Sequence, residues 1–230
     1  MDKLEPVVVK GVSPKGTFRY PHLTEPDMGS KEYPDPDGSF NVRLVVSESV
    51  KDAFLAKLQP SIDYAMAQAD ADFSAMKPAA RKKIGEVSWN DVATPIYDEE
   101  TEEETGDYEF RFKTKASGKR KNGKRWERKL PMFDAKGTPI KKIDAIWGGT
   151  TGKCSFTAQY YFVNGSGAAG ITLYLEAAQI IDLVAGGDRD AEGFGFGEED
   201  GYEADNSSVP FEEEDGGYEA TNEDGGNGDF

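Results

Sequence analysis

The last 45 residues decide where this chain can fold. Residues 186–230 hold 16 acidic side chains against one base, Arg189, together with 11 glycines and a lone valine, Val209, and they contain no leucine, isoleucine or methionine. Such a segment cannot bury enough apolar surface to offset the entropy of ordering it. It reads as a disordered acidic tail, which leaves residues 1–185 to build the folded domain. Those residues carry 27 acids and 26 bases, so the formal charge of −16 for the whole chain is almost entirely the tail's. A body of that length can bury a sizeable core.

Within the body, alternation at the period of a strand recurs. Phe40, Val42, Leu44 and Val46 alternate with Asn41, Arg43 and Val45, and Asp37-Gly38 before them reads as a tight turn. Tyr108, Phe110, Phe112 and Thr114 define one face of a second strand, with Glu109, Arg111, Lys113 and Lys115 on the other. Residues 119–124, with Asn122-Gly123, form a basic hairpin tip leading to a strand over residues 126–130. Cys154, Phe156, Ala158, Tyr160 and Phe162 mark a third long strand. After a turn over residues 164–170, Ile171, Leu173 and Leu175 open a last one. Between the first two strands, Ser49 and Asp52 resemble a capping box. Leu55, Leu58, Ile62, Met66, Ala69 and Phe73 follow helical spacing, for a helix of about five turns bent or restarted at Pro60. About five strands and one inserted helix are too few strands for a sandwich. They fit a mainly β fold, a five-stranded barrel of the OB type, with the tail appended.

The body is polarised although its sum is near zero. Residues 98–109 contain eight acids and no base, and residues 111–142 contain 13 bases against Glu127 and Asp134. The acidic run reads as a solvated loop. The basic run reads as a stripe built into strands, with two loops that neutralise each other as the alternative.

Several chemistries fall away. One cysteine, Cys154, allows no internal disulfide and points to a reducing compartment. One histidine, His22, leaves little for zinc or histidine catalysis. The segment from Gly148 to Lys153 has phosphate-loop flavour, but Trp147 stands where the first glycine is needed and Cys154 where a hydroxyl would hold magnesium. No set of catalytic side chains converges, so neither an enzyme, a metal site nor a cofactor is expected. No apolar run approaches membrane-spanning length, and a cytosolic protein is the expectation.

What remains is cations interleaved with aromatics on strands, the combination that holds single-stranded nucleic acid. Tyr161 lies outward between Tyr160 and Phe162, and Tyr174 outward between Leu173 and Leu175; a packed strand tyrosine is the alternative for each. With Trp126 as a third ring, Arg43, Arg111, Lys113, Lys115, Lys119, Arg120, Lys121, Lys124 and Arg125 supply the charge. The rival reading from another class is an acidic DNA mimic that inhibits a DNA-binding enzyme. It shares the tail but has no need of the basic stripe.

The segment Ile146-Trp147-Gly148-Gly149, then Lys153 through Tyr161 and Asn164, then Leu173, Leu175 and Glu176, resembles the replication single-stranded DNA-binding proteins of T-odd phages. Asp37-Gly38 leading into Phe40 and Val42, the strand Phe110-Arg111-Phe112-Lys113 and the ending Gly228-Asp229-Phe230 match as well; residues 60–105 align poorly. The resemblance implies an OB-fold core with an inserted helix, sequence-independent binding and annealing of single strands, and a dimer that depends on the tail. It also implies a tail that contacts the phage DNA polymerase and helicase-primase in the host cytoplasm. It carries a stacking role to Tyr161, a basic-strand role to Lys113 or Lys115, and partner docking to Asp229 and Phe230. The chain departs from the family pattern at Asp37, where a base is usual, and at Val163, where a tryptophan is usual.

Overall fold

The computed structural model describes residues 5–143 and 145–184, so the acidic tail, with Asp229 and Phe230, lies outside the described residues. In chain order the elements are β1 (Lys10–Val12), β2 (Gly16–Gly29), β3 (Pro34–Ser47), α1 (Glu48–Ala75), α2 (Pro78–Ile84), β4 (Ser88–Asn90) and β5 (Ala93–Tyr97). There follow β6 (Glu104–Lys115), β7 (Ser117–Lys119), β8 (Arg125–Glu127), β9 (Met132–Phe133), β10 (Thr151–Val163) and β11 (Ala168–Asp182). Five of them, in the order β10, β2, β3, β6, β11, close into a barrel because β11 also pairs with β10. The expected five-stranded barrel with an inserted helix is therefore present. Its long seams are antiparallel, while β11 meets β6 in a parallel contact of two register pairs, Leu173 with Phe112 and Tyr174 with Lys113.

The alternation read from the sequence fills the barrel. Phe40, Val42, Leu44, Phe110, Phe112, Cys154, Phe156, Ala158, Leu173 and Leu175 all point inward and are buried. Burial pushes the Cys154 thiol pKa up, in keeping with a side chain that behaves as a small apolar group. Helix α1 contributes Phe54, whose ring meets Phe110 and Phe156 edge-on at centroid distances of 4.9 and 5.5 Å. Edge-to-face packing of this kind adds about 1 kcal/mol beyond the area buried.

Three local expectations change. Asp37-Gly38 does not turn the chain: β3 runs through it, and Gly38 at φ 63° makes a bend inside the strand. The reversal comes earlier, where Ser30 N–H donates to the Tyr33 carbonyl at 3.2 Å. The helix begins at Glu48 after an extended Ser47, with no side-chain cap, and continues unbroken through Pro60 to 28 residues. Pro60 is exposed, so the carbonyl freed one turn back can be met by water. The buried face is Phe54, Leu58, Ser61, Ala65 and Ala69, while Met66 stays 48% exposed. Small residues let the helix lie close on the sheet, and Ser61 earns its burial by accepting from Val9 N–H at 2.9 Å and donating to the Val7 carbonyl at 3.2 Å.

The third change concerns the acidic run. Only its first part is a loop, closed by Asp98, whose carboxylate accepts from the Glu100 and Thr101 amides at 3.0 and 2.9 Å. From Glu104 onward the run is strand β6. Among the described residues, no helix is long and apolar enough to cross a membrane.

Candidate nucleic-acid interface

Pairing of β3, β6 and β11 sets the outward side chains in rows. Arg19 on β2 lies beside Arg43 on β3, which lies beside Arg111 on β6; Asn41, Lys113 and Tyr174 form the next row. Two clefts open along this face. One, of about 480 Å³, is lined by Arg43, Arg111, Lys113, Thr172 and Tyr161 together with Glu109 and Asp91. The other, of about 590 Å³, is lined by Lys115, Trp126, Arg128, Lys129, Tyr174 and Glu176, among others. Lys113 faces Tyr174 across the parallel seam, so the two clefts adjoin.

Tyr161 and its neighbour Tyr160 leave β10 on opposite sides. Tyr160 turns to the helix, donates to Asp72 Oδ2 at 2.8 Å and packs edge-on against Tyr64. Burial and that hydrogen bond push its phenol pKa up, and a ring so engaged is not free to stack. Tyr161 is oriented by Asn90, whose side-chain amide donates to its hydroxyl at 2.9 Å. Its register partner is Gly170, where a Cβ would come within 3.0 Å of the Tyr161 hydroxyl and 2.9 Å of the Asn90 carbonyl. Trp126 is seated in the same way: it lies opposite Gly118, where a Cβ would come within 2.9 Å of the indole. In both places the missing side chain gives a ring its seat on the neighbouring strand.

The cations are of two kinds. Arg43 Nη1 donates to Glu109 Oε1, and Arg19 Nη1 stands 3.8 Å from the other carboxylate oxygen. Although Glu109 is on the outward face, these guanidiniums bury it, to 10% side-chain exposure. Asp37 holds a second group, with Lys115 Nζ at 3.2 Å and Arg125 Nη2 at 3.9 Å. Arg125 also donates to Ser117 Oγ at 2.8 Å and the Pro36 carbonyl at 3.2 Å. By contrast, Arg111, Lys113, Lys119, Arg120, Lys121 and Lys124 make no ion pair among the described residues.

Structure thus gathers Arg43, Arg111, Lys113 and Tyr161 in one cleft and Lys115, Trp126 and Tyr174 in the next. Lys119, Arg120, Lys121 and Lys124 are carried away from both on the β7–β8 hairpin, whose turn is closed by Arg120 N–H to the Lys124 carbonyl at 2.9 Å. Strand β8 is only three residues, shorter than the sequence suggests. Sequence reasoning singled out neither Arg128, whose guanidinium lies 5.9 Å from the Trp126 ring centroid, nor Lys129. The signal for Arg128 was present, since it stands two positions after Trp126 in the basic run. Gly148 to Lys153 leads into strand β10 rather than a helix, so the geometry of a phosphate loop is missing.

Comparison with known proteins bears on the family and the fold. The family model for the single-stranded DNA-binding protein of bacteriophage T7 matches residues 15–183. The single-stranded DNA-binding protein of Enterobacteria phage T3 is 29% identical over 209 residues, spanning 88% of this chain and 81% of the relative. That of Escherichia phage T7 is 27% identical over 205 residues, spanning 85% and 86%. Among solved structures, the crystal structure of gp2.5, a single-stranded DNA-binding protein encoded by bacteriophage T7, superposes with a TM-score of 0.59 at 23% identity. It covers 86% of this chain and 100% of the other, and that likeness is one of fold.

Proposed function

This chain belongs to the family of the bacteriophage T7 single-stranded DNA-binding protein, and from that premise we propose that it binds single-stranded DNA without sequence preference. The family is one of binding proteins rather than enzymes. The observation that carries the reading is the juxtaposition, on one face, of Tyr161 with Arg43, Arg111 and Lys113, and of Tyr174 and Trp126 with Lys115. Unpaired bases offer faces to the rings, and the cations meet phosphate. An acidic DNA mimic would have no use for such a face.

The working protein on this reading is a binding domain, residues 1–185, with a regulatory tail, residues 186–230. As a coil, a segment of 45 residues spans roughly 37 Å, against a radius of gyration of roughly 16 Å for a domain of 185 residues. Tethering of this kind sets an effective concentration of about millimolar, and on this reading the acidic segment competes at that concentration with DNA for the cations. Long single strands, with stacking added, displace it and free Asp229 and Phe230 for the polymerase and helicase-primase. Protection and annealing of single strands in phage replication, recombination and repair, in the host cytoplasm and with a tail-dependent dimer, complete the proposal.

Fluorescence titration with single-stranded and duplex oligonucleotides across a salt series tests it. Neutralising four or five phosphates gives a slope of about −3 in log affinity against log salt. A flat response, or equal affinity for duplex, would remove the reading. Deleting residues 186–230 is expected to tighten single-strand binding; unchanged or weaker affinity would remove the tail's regulatory role.

A further inference from the structure

Beside the two clefts lies a third, and we propose that it is an additional stacking subsite for single-stranded nucleic acid, with Tyr20 and Trp147 as its platforms and Arg19 as its cation. The proposal rests on the single-strand reading above and extends the path of the strand beyond Tyr161. The cleft, of about 640 Å³, is lined by Arg19, Tyr20, His22, Asp107 and Trp147, among others.

Its two rings are exposed where a packed core would have taken them. Tyr20 is 57% and Trp147 54% exposed. Strand alternation would send Tyr20 inward with Phe18, which is fully buried. Instead Tyr20 adopts φ 49°, in the left-handed region that disfavours side chains, and the pairing of β2 with β3 slips between Arg19 and His22. The slip sets Arg19 and Tyr20 on one surface. A backbone conformation of that cost at an exposed aromatic marks a position held for use.

The partners suit a nucleotide. The guanidinium of Arg19 stands 4.9 Å and that of Arg43 5.7 Å from the Tyr20 ring centroid. These guanidiniums lie over the ring, while the residue still keeps 57% of its surface exposed for a base, and they put two cations beside it for phosphate. Trp147 sits on a turn tied to the barrel: its amide donates to the Val184 carbonyl at 2.9 Å, and Gly149 N–H donates to the Phe18 carbonyl at 2.9 Å. A ring on a backbone so fixed gives up only side-chain freedom on stacking. Among the described residues Asp107 is the one carboxylate lining this cleft, and its charge disfavours phosphate on its own side.

Continuity decides in favour of nucleic acid over an unrelated ligand. Arg43 lines the Tyr161 cleft and also overlies Tyr20, while Glu109 bridges Arg43 and Arg19. A strand leaving Tyr161 therefore reaches Tyr20 by way of Arg43 and Arg19, with Glu109 between them and Glu99 at 3.9 Å from Arg19.

The full-length protein and its Tyr20→Ala, Tyr20→Phe and Trp147→Ala variants are titrated with oligothymidylates of about 6 and about 20 nucleotides, within and beyond the span of one OB-fold site. Thermal melting confirms that each variant is folded, and Trp147→Ala stands independently of any strain at Tyr20. Each alanine variant is expected to lose about tenfold in affinity for the longer oligomer and nothing for the shorter, with Tyr20→Phe at the wild-type value. Wild-type affinity of both alanine variants for the longer oligomer overturns the subsite, as does an equal loss at both lengths. A wild-type protein that binds neither oligomer overturns the single-strand reading itself.

Discussion

Along the clefted face Arg43 is held by Glu109 and Lys115 by Asp37, beside the unpaired Arg111 and Lys113, whereas on the β7–β8 hairpin Arg125 shares Asp37 but Lys119, Arg120, Lys121 and Lys124 meet no carboxylate among the described residues. Both sets except Arg43 come from the one basic stretch that the sequence presents as a single stripe. A held cation is oriented beside a ring but has part of its attraction cancelled in advance. A free cation has its whole field and no fixed position. The first kind suits placement of a strand under Tyr161 and Trp126, and the second suits capture from a distance, which salt weakens.

That contrast can be broken by removing the hairpin charges. Changing Lys119, Arg120, Lys121 and Lys124 together to alanine should lower affinity for single-stranded DNA by up to about two decades at about 0.1 M salt. The salt slope should become shallower by up to about 2, at roughly 0.7 for each of about three phosphate contacts, which leaves the rest of the slope to the clefts. An unchanged slope would mean the hairpin never meets the backbone. Tyr161→Ala should act the other way, costing about 1–3 kcal/mol of binding while leaving the slope alone. Gly170→Ala, which pushes at the same ring from its neighbouring strand, should give part of that loss. A slope altered by either would show that Tyr161 works through the cations.

The smallest effect sharpens the contrast most. Asp37→Asn frees Lys115 and Arg125, so binding should tighten a few-fold and the slope steepen by up to about 1.4, two contacts' worth. Stability should hardly move, because Lys115 is 64% exposed and such ion pairs contribute about 1 kcal/mol or less. Weaker binding by Asp37→Asn would show that the carboxylate positions its cations for phosphate instead of competing for them.

Long strands and residue types were legible in the sequence, and their partners were not. Strands β3, β6, β10 and β11 each bury alternate large side chains, so period two reveals them. Strand β2 carries Pro21 and Pro26 and buries only Phe18 and Leu23, leaving a pattern too sparse to read. The helix was placed correctly but rotated, because Ser61 and Ala65 are buried for closeness while Met66, the larger apolar residue, faces water. At the interface, Tyr161 and Tyr174 stand out as outward-facing aromatics by alternation, which does not single out Trp126. That Glu109 belongs to Arg43 and not to an acidic loop follows from the register of β3 on β6, which pairs distant segments and leaves no local trace.

The parallel seam between β6 and β11 has a bearing on how the molecule folds. Lys113 and Tyr174 are about sixty positions apart, and two register pairs are all that join their strands. Closing a loop of that size gives up chain entropy against few hydrogen-bonded rungs. A nucleic-acid strand lying over both side chains would act as an external clasp on the join, so the protein should melt later when DNA is bound, by the amount that affinity and DNA concentration dictate.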